Sequence, residues 1–315
     1  MIALYIFLGL LGAFILFAVF PTFLISFIIF EVLFVRNKKD KWGRTVSWDD
    51  EEQKRMFAEG KEWGEENEQY RHQIRIKNDG FNLVGEFFDF GFDRSVIIIP
   101  GRMESGTYSY YFSIPYKKAG YNVLAIDNRS HGLSEGRYNT LGLKEHRDIV
   151  AWAKYLHDEH NQQKIVIHGI CIGSATGLYA LLAKNSPNYL VGLVADGMYV
   201  NFAESLNNHL IERNKPIFPF SMEIMWLVSL IAGKSPKKYG PINLIGDYKK
   251  PILFIYSKED TYSVPEKSQL LFDACGSEHK KLVWFDHGAH SHVRINAPEK
   301  YDQTIIEFLK EEFDE

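Results

Sequence analysis

The stretch Ile165-Val166-Ile167-His168-Gly169-Ile170-Cys171-Ile172-Gly173 decides the reading of this chain. A β-branched apolar run passes straight into Ser174–Ala183, rich in Ala, Gly and Leu, so a strand turns into a helix within a few residues. Glycines two positions either side of Cys171 are what such a turn needs, because side chains there would collide with the backbone. The Gly-x-Cys-x-Gly spacing matches the turn that exposes a nucleophile, with cysteine where serine is usual. Working outward, further apolar runs are bounded by turn residues: Val96–Ile99, Val123–Ile126, Leu190–Val194, Ile252–Tyr256 and Leu282–Phe285. Helical patterns over Leu143–His157 and Pro298–Glu312 alternate with them. His72–Lys77 and Phe81–Phe90 form an antiparallel pair around Asn78-Asp79-Gly80. Continuous apolar strands alternating with helices predict an α/β, mostly parallel, doubly wound sheet. Residues 198–248 interrupt the rhythm with Pro216, Pro219 and an apolar helix, Met222–Ile231. That insertion would lie over the carboxyl ends of the strands, where open α/β sheets bind ligands.

Other stretches share a pattern with one family. Ile126-Asp127-Asn128-Arg129-Ser130-His131-Gly132-Leu133-Ser134 is similar to a D-x-R-G-H-G-x-S loop, and Gly142, Glu145 and Asp148 to the G-x-x-E-x-x-D start of a helix. Ser257-Lys258-Glu259-Asp260-Thr261-Tyr262-Ser263-Val264-Pro265 is similar to a turn that supplies an acid. Gly288-Ala289-His290-Ser291 is similar to a histidine loop before the last helix. On these motifs residues 70–315 resemble the α/β-hydrolase family, in particular bacterial membrane-anchored serine-hydrolase-like and peptidase-like members. The resemblance implies an α/β-hydrolase fold with a helical cap insertion at about 198–248.

It also implies the order nucleophile, acid, histidine: Cys171, Asp260 and His290. Cys171 would attack an acyl carbonyl as thiolate, His290 would shuttle the proton, and Asp260 would fix the imidazole tautomer. Backbone N–H groups of Ile172, and of Arg102 or Met103, would hold the oxyanion. Glu259 is the fallback acid; Asp196, at the end of another strand, is an alternative acid site, read first as a turn or cap residue. His287 and His292 crowd His290, His131 reads as a loop brace, and His168 as packing behind the turn. The loop Pro100-Gly101-Arg102-Met103-Glu104 lacks the histidine that family members often carry. Thioesters accept amines and thiols as well as water, so acyl transfer stands beside hydrolysis of an ester, thioester or amide. Dienelactone hydrolases and some acyltransferases in the family carry cysteine at this turn. The alternatives are a non-catalytic ligand-binding protein of the same fold and a serine enzyme into which Cys171 was introduced.

Ile2 to Val35 is almost unbroken apolar sequence, interrupted by Pro21 and Glu31. At about 1.5 Å per residue it exceeds the roughly 20 residues needed to cross a bilayer core, so residues 1–35 are expected to be a transmembrane anchor, with Pro21 either kinking it or marking where it enters the interface. Arg36, Lys38, Lys39, Lys41 and Arg44 follow, predicting a single-pass cell-membrane protein with its large domain in the cytoplasm. Residues 36–69, with Asp49, Asp50, Glu51, Glu52 and Lys54, read as a solvated, partly helical connector. The anchor and the apolar insertion favour a small or lipid-like acyl substrate.

Composition narrows the rest. In 315 residues, 36 Lys and Arg against 40 Asp and Glu leave a formal net charge of −4, which disfavours nucleic acid as a partner. Two cysteines exclude a disulfide framework, and the histidines show no H-E-x-x-H spacing, so neither a metal nor a cofactor is expected.

Overall fold

A computed structural model describes residues 1–45 and 50–314. Asp49, read above with the connector, lies outside the described residues, as does Glu315. The strands are β1 (Arg71–Asn78), β2 (Phe81–Phe88), β3 (Arg94–Ile99), β4 (Asn122–Ile126), β5 (Lys164–Ile170), β6 (Leu190–Asp196), β7 (Ile252–Ser257) and β8 (Lys280–Phe285). They form one eight-stranded sheet in the order β1-β2-β4-β3-β5-β6-β7-β8. The β1–β2 and β2–β4 pairs are antiparallel and the others parallel. Asp79 and Gly80 close the first hairpin with φ of +48° and +85°, the left-handed pair that a two-residue turn requires.

The strands are apolar on both sides because both faces are covered. In β3, Ile97 and Ile99 point into one core and Val96 and Ile98 into the other, following the two-residue period of a strand. On the Ile97 face pack α6 (His146–His160), α7 (Ile172–Leu181) and α10 (Pro265–Ala274). The Val96 face is covered by α12 (Pro298–Phe313) and the short α4 (Gly106–Ser109) and α5 (Ile114–Lys118); α11 (Val293–Asn296) leads into α12.

The segment read as a solvated connector joins this second face. Its charges hide a helix, α3 (Glu51–Glu66), started by Asp50, whose carboxylate accepts the Gln53 N–H at 2.8 Å. Met56, Gly60 and Trp63, spaced four and three apart, make one buried stripe. A Cβ at Gly60 would lie 2.8 Å from the Tyr111 nitrogen, so the helix approaches as closely as its backbone permits.

The apolar N-terminal run is helical in three pieces: α1 (Ile2–Phe14), a π-helical turn (Ile15–Val19) and α2 (Phe20–Phe34). Among the described residues, no helix is long and apolar enough to cross a membrane. The irregularity precedes Pro21 rather than falling on it. Proline has no N–H for the carbonyl four residues back, Phe17, and its ring crowds that carbonyl, so the wider turn absorbs the misfit. Phe30 and Phe34 of α2 pack with the insertion between β6 and β7, which holds α8 (Phe202–Glu212) and α9 (Phe220–Ala232). Beyond α2 the chain is stitched to the loop after β4. Val35 bridges Tyr138, Asn139 N–H donates to Phe34 O at 2.9 Å, and the Arg36 guanidinium donates to the carbonyls of Ser134 and Gly132 at 2.9 and 2.7 Å. Trp42 stacks on His131, and Arg44 pairs with Glu86 and Asp127.

Candidate active site

Cys171 joins the end of β5 to the start of α7 with φ +55° and ψ −111°, a strained positive-φ conformation that a non-glycine residue adopts only when its surroundings impose it. The imposition is visible. A Cβ on Gly169 would sit 2.2 Å from the Ser174 nitrogen, and one on Gly173 would sit 2.2 Å from the Ile99 carbonyl oxygen. The Cys171 N–H donates to Asp196 O at 2.8 Å, tying the turn to the neighbouring strand. The Cys171 side chain is half-buried between the core of the second face and the α2–α8–α9 cluster. Ile172 is the first residue of α7, where a helix has N–H groups without intrahelical partners.

Asp260 follows β7 and His290 follows β8, so two loops at the same end of the sheet bring them together. His290 Nδ1 lies 2.7 Å from Asp260 Oδ2. Asp260 Oδ1 accepts the Tyr262 and Ser263 N–H groups, both at 2.8 Å. Burial pushes the Asp260 carboxyl up, but His290 and these backbone donors outweigh it and hold it below its ordinary value. Burial likewise disfavours a charged His290, yet Asp260 and Cys171 outweigh burial and raise the imidazole well above its ordinary value. His290 Nε2 is buried and has no hydrogen-bond partner among the described residues. Gly197, at φ +63°, leaves room for the ring, since a Cβ there would meet His290 Cε1 at 3.1 Å. Tyr262 packs on the His290 ring at 5.3 Å, and its hydroxyl meets His209 Nδ1 of α8 at 2.9 Å, linking the acid loop to the cap.

The other candidates are placed elsewhere. Glu259 turns to solvent and pairs with His287. His292 pairs with Glu52 of α3 at 3.0 Å. His131 is a brace: its ring nitrogens face the carbonyls of Arg102 and Arg129 at 2.5 and 3.0 Å. Asp196 is not the turn or cap residue the sequence suggested. It is fully buried at the end of β6 and accepts the Tyr301 hydroxyl at 2.6 Å, because α12 carries Tyr301 over that strand end. Burial lifts its carboxyl to about 6 against that hydrogen bond. Tyr301 also touches His168 Nε2, and burial lowers His168 to about 3, so His168 is neutral packing behind the turn.

Arg102 and Met103 lie in the loop after β3, both half-buried. The Arg102 guanidinium donates to Leu33 O of α2 at 3.0 Å and lies over the Phe34 ring. Glu104, which sequence reasoning passed over, ties this loop to two neighbours. Its Oε2 accepts the Gly101 N–H at 3.0 Å, and its Oε1 accepts the Gln53 amide of α3 at 3.2 Å. Burial raises it to about 7. The signal was there in a lone carboxylate three residues beyond a glycine after a buried strand; Gln53 carried none, since its contact spans 51 positions.

An eight-stranded, mostly parallel sheet with a strained Cys171 turn and an acid–histidine pair at the same end is the α/β-hydrolase fold. The model of the family described as "alpha/beta hydrolase fold" matches residues 94–223. The chain is similar to an esterase from Pyrococcus furiosus, at 25% identity and a TM-score of 0.67 over 79% of this chain and 93% of that one. It is also similar to the uncharacterized protein YqkD of Bacillus subtilis, 29% identical over 192 residues, which are 60% of this chain and 62% of that protein. An uncharacterized membrane protein of Saccharomyces cerevisiae is 23% identical over 216 residues, 69% of this chain and 70% of that one. The chain thus spans about 60 to 70% of the length of the curated relatives it matches. The family-model match over residues 94–223 and the likeness to a solved esterase both agree with the α/β-hydrolase fold.

Proposed function

We propose that the protein is a membrane-anchored acyl hydrolase using Cys171, His290 and Asp260. The observation that carries this reading is an imidazole held by Asp260 through Nδ1, with Nε2 open, beside a cysteine in a strained strand-to-helix turn. Asp260 makes His290 a stronger base than a free imidazole, which favours its taking the Cys171 proton so that Cys171 attacks as thiolate. Cys171 Sγ bonds to the acyl carbon, the Ile172 and Arg102 or Met103 N–H groups hold the oxyanion, and His290 protonates the departing alkoxide, thiolate or amine. Water then attacks the thioester, giving its proton to His290, and the acid leaves as Cys171 is restored. An amine or thiol acceptor in place of water makes the same step acyl transfer.

A lipid-like acyl group is favoured by what surrounds Cys171: Phe34, Phe202, Leu206 and Ile172 belong to one apolar cluster against it. A membrane anchor is favoured by the apolar run itself and by α1, none of whose residues is buried. The basic cluster after α2 favours a cytoplasmic domain, so protease added to intact cells should leave that domain uncut. The name of the yeast relative agrees with a membrane location. Peptide mapping after treatment with an activated-ester probe tests the chemistry. Acylation confined to the peptide holding Gly169–Gly173, and lost in His290→Ala, is expected. Acylation elsewhere, with Cys171 free, would leave a ligand-binding protein of this fold. A strong gain in turnover in Cys171→Ser would point to a serine enzyme.

A further inference from the structure

Two helices of the roof spend only half their surface on the domain. In α9, Ile224, Leu227 and Val228 face inward, while Met222, Trp226 and Leu230, four residues apart, form an exposed apolar stripe. In α2, Ser26, Phe30 and Phe34 face inward, and Leu24, Ile28 and Val32 form a second exposed stripe with the same spacing. The half-buried Phe23 ring, next to Leu24 in the chain, meets the Trp226 ring edge to face at 5.9 Å, so α2 and the α9 stripe adjoin. Soluble domains seldom expose an apolar patch of this extent without a partner.

We propose that the α9 stripe, together with the outer face of α2, is embedded in the hydrocarbon edge of a phospholipid bilayer with anionic headgroups, so that the cap is itself a membrane-inserting surface. The inference rests on the membrane reading of α1. Three observations choose a bilayer as occupant. First, the patch continues into α1, which is apolar and exposed all round. Second, cations bracket it where headgroups would lie: exposed Arg213 and Lys215 precede α9, exposed Lys234, Lys237 and Lys238 follow it, and exposed Lys38 and Lys39 follow α2. Third, the polar groups in the seam satisfy one another. Glu223 of α9 accepts the Ser26 hydroxyl at 2.6 Å and the Thr22 hydroxyl at 3.2 Å, as groups facing hydrocarbon must.

Trp226 reports on this directly, being the exposed tryptophan among the described residues. The full chain would be reconstituted with phosphatidylglycerol and phosphatidylcholine brominated on the acyl chains, floated, and its tryptophan emission compared with that of Trp226→Phe. Bromolipid quenching in the parent, mostly lost in Trp226→Phe, is expected. Leu230→Asp should weaken the quenching severalfold while hydrolysis of a short, water-soluble ester stays unchanged. Equal quenching in parent and Trp226→Phe, in protein that floats, overturns the inserted cap and leaves the α1 anchor standing. Protein that does not float overturns both. Protection of a Met222→Cys thiol in dimers formed without lipid would assign the patch to a second copy and overturn the proposal.

Discussion

Two carboxylate–imidazole pairs hang between the same two loops, one at the rim of the site and one on its floor. At the rim Glu259 meets His287 at 3.0 Å with both side chains more than half exposed; on the floor Asp260 meets His290 at 2.7 Å with side-chain exposures of 2% and 15%. Sequence neighbours with the same chemistry therefore do different things. Water screens the rim pair, and pairs of that kind contribute little. On the floor, desolvation makes each ion depend on the other and on the Tyr262 and Ser263 N–H groups. Glu104 is a third case, half-buried with no ion pair among the described residues, and burial raises it to about 7 where Asp260 falls. Where burial outweighs the hydrogen bonds a carboxyl becomes a weak acid, as at Glu104; where an imidazole and backbone donors outweigh burial, as at Asp260, it keeps its charge.

The sharpest way to break the contrast is to delete each imidazole. His290→Ala should lower ester turnover about 10³–10⁴-fold in steady-state assays, and His287→Ala less than about twofold. Equal losses would mean the rim pair reaches the substrate. Exchanging the floor carboxylate comes next: Asp260→Asn should cut turnover about 10³-fold and let the His290 resonance titrate nearer its ordinary range, because the retained amide cannot balance the imidazolium.

Glu104 separates burial from pairing. Its carboxyl is raised from the usual 4.5 to about 7 in the folded protein, so the folded state holds a proton that the unfolded state has released. Stability is therefore lost as pH climbs from about 4.5 to 7, by up to about 3 kcal/mol, and is flat above. Urea titrations at pH 5 and pH 8 should show Glu104→Gln losing about 2 kcal/mol less than the parent. A smaller effect is expected at the thiols. Iodoacetamide should modify Cys171 about tenfold faster than Cys275, which is buried and whose thiol burial pushes up, and His290→Ala should remove most of that advantage. Smallest of all, Glu259→Gln should move the His287 titration down and leave turnover within about twofold.

The parts of this site that the sequence made legible are those set by local rules. The glycines around Cys171, the Asp79-Gly80 turn and the apolar strand runs each obey a constraint spanning a few residues, and β5, β7 and α12 fall where the patterns put them. Asp260 was readable because its turn carries its own motif. Asp196 was not: its burial is produced by Tyr301, 105 positions away. α3 was misread because its charges outnumber its apolar residues, although Met56, Gly60 and Trp63 keep a helical spacing. Its docking depends on Tyr111 and Phe88 meeting that stripe, which no local pattern encodes.

The stitching of residues 35–44 onto the loop after β4 has a mechanical consequence. A domain hung from its anchor by a floppy tether sweeps a hemisphere, and its mouth faces the surface only part of the time. Here the Val35–Tyr138 bridge, the Arg36 hydrogen bonds and the Trp42–His131 stack tie the end of α2 to the sheet domain at several points. Whatever orients α2 orients the Cys171 turn with it, so on the proposed membrane reading that turn would be aimed like a fixed mount rather than a weight on a string, and the entropy of aiming would be spent once, on folding, instead of at each encounter.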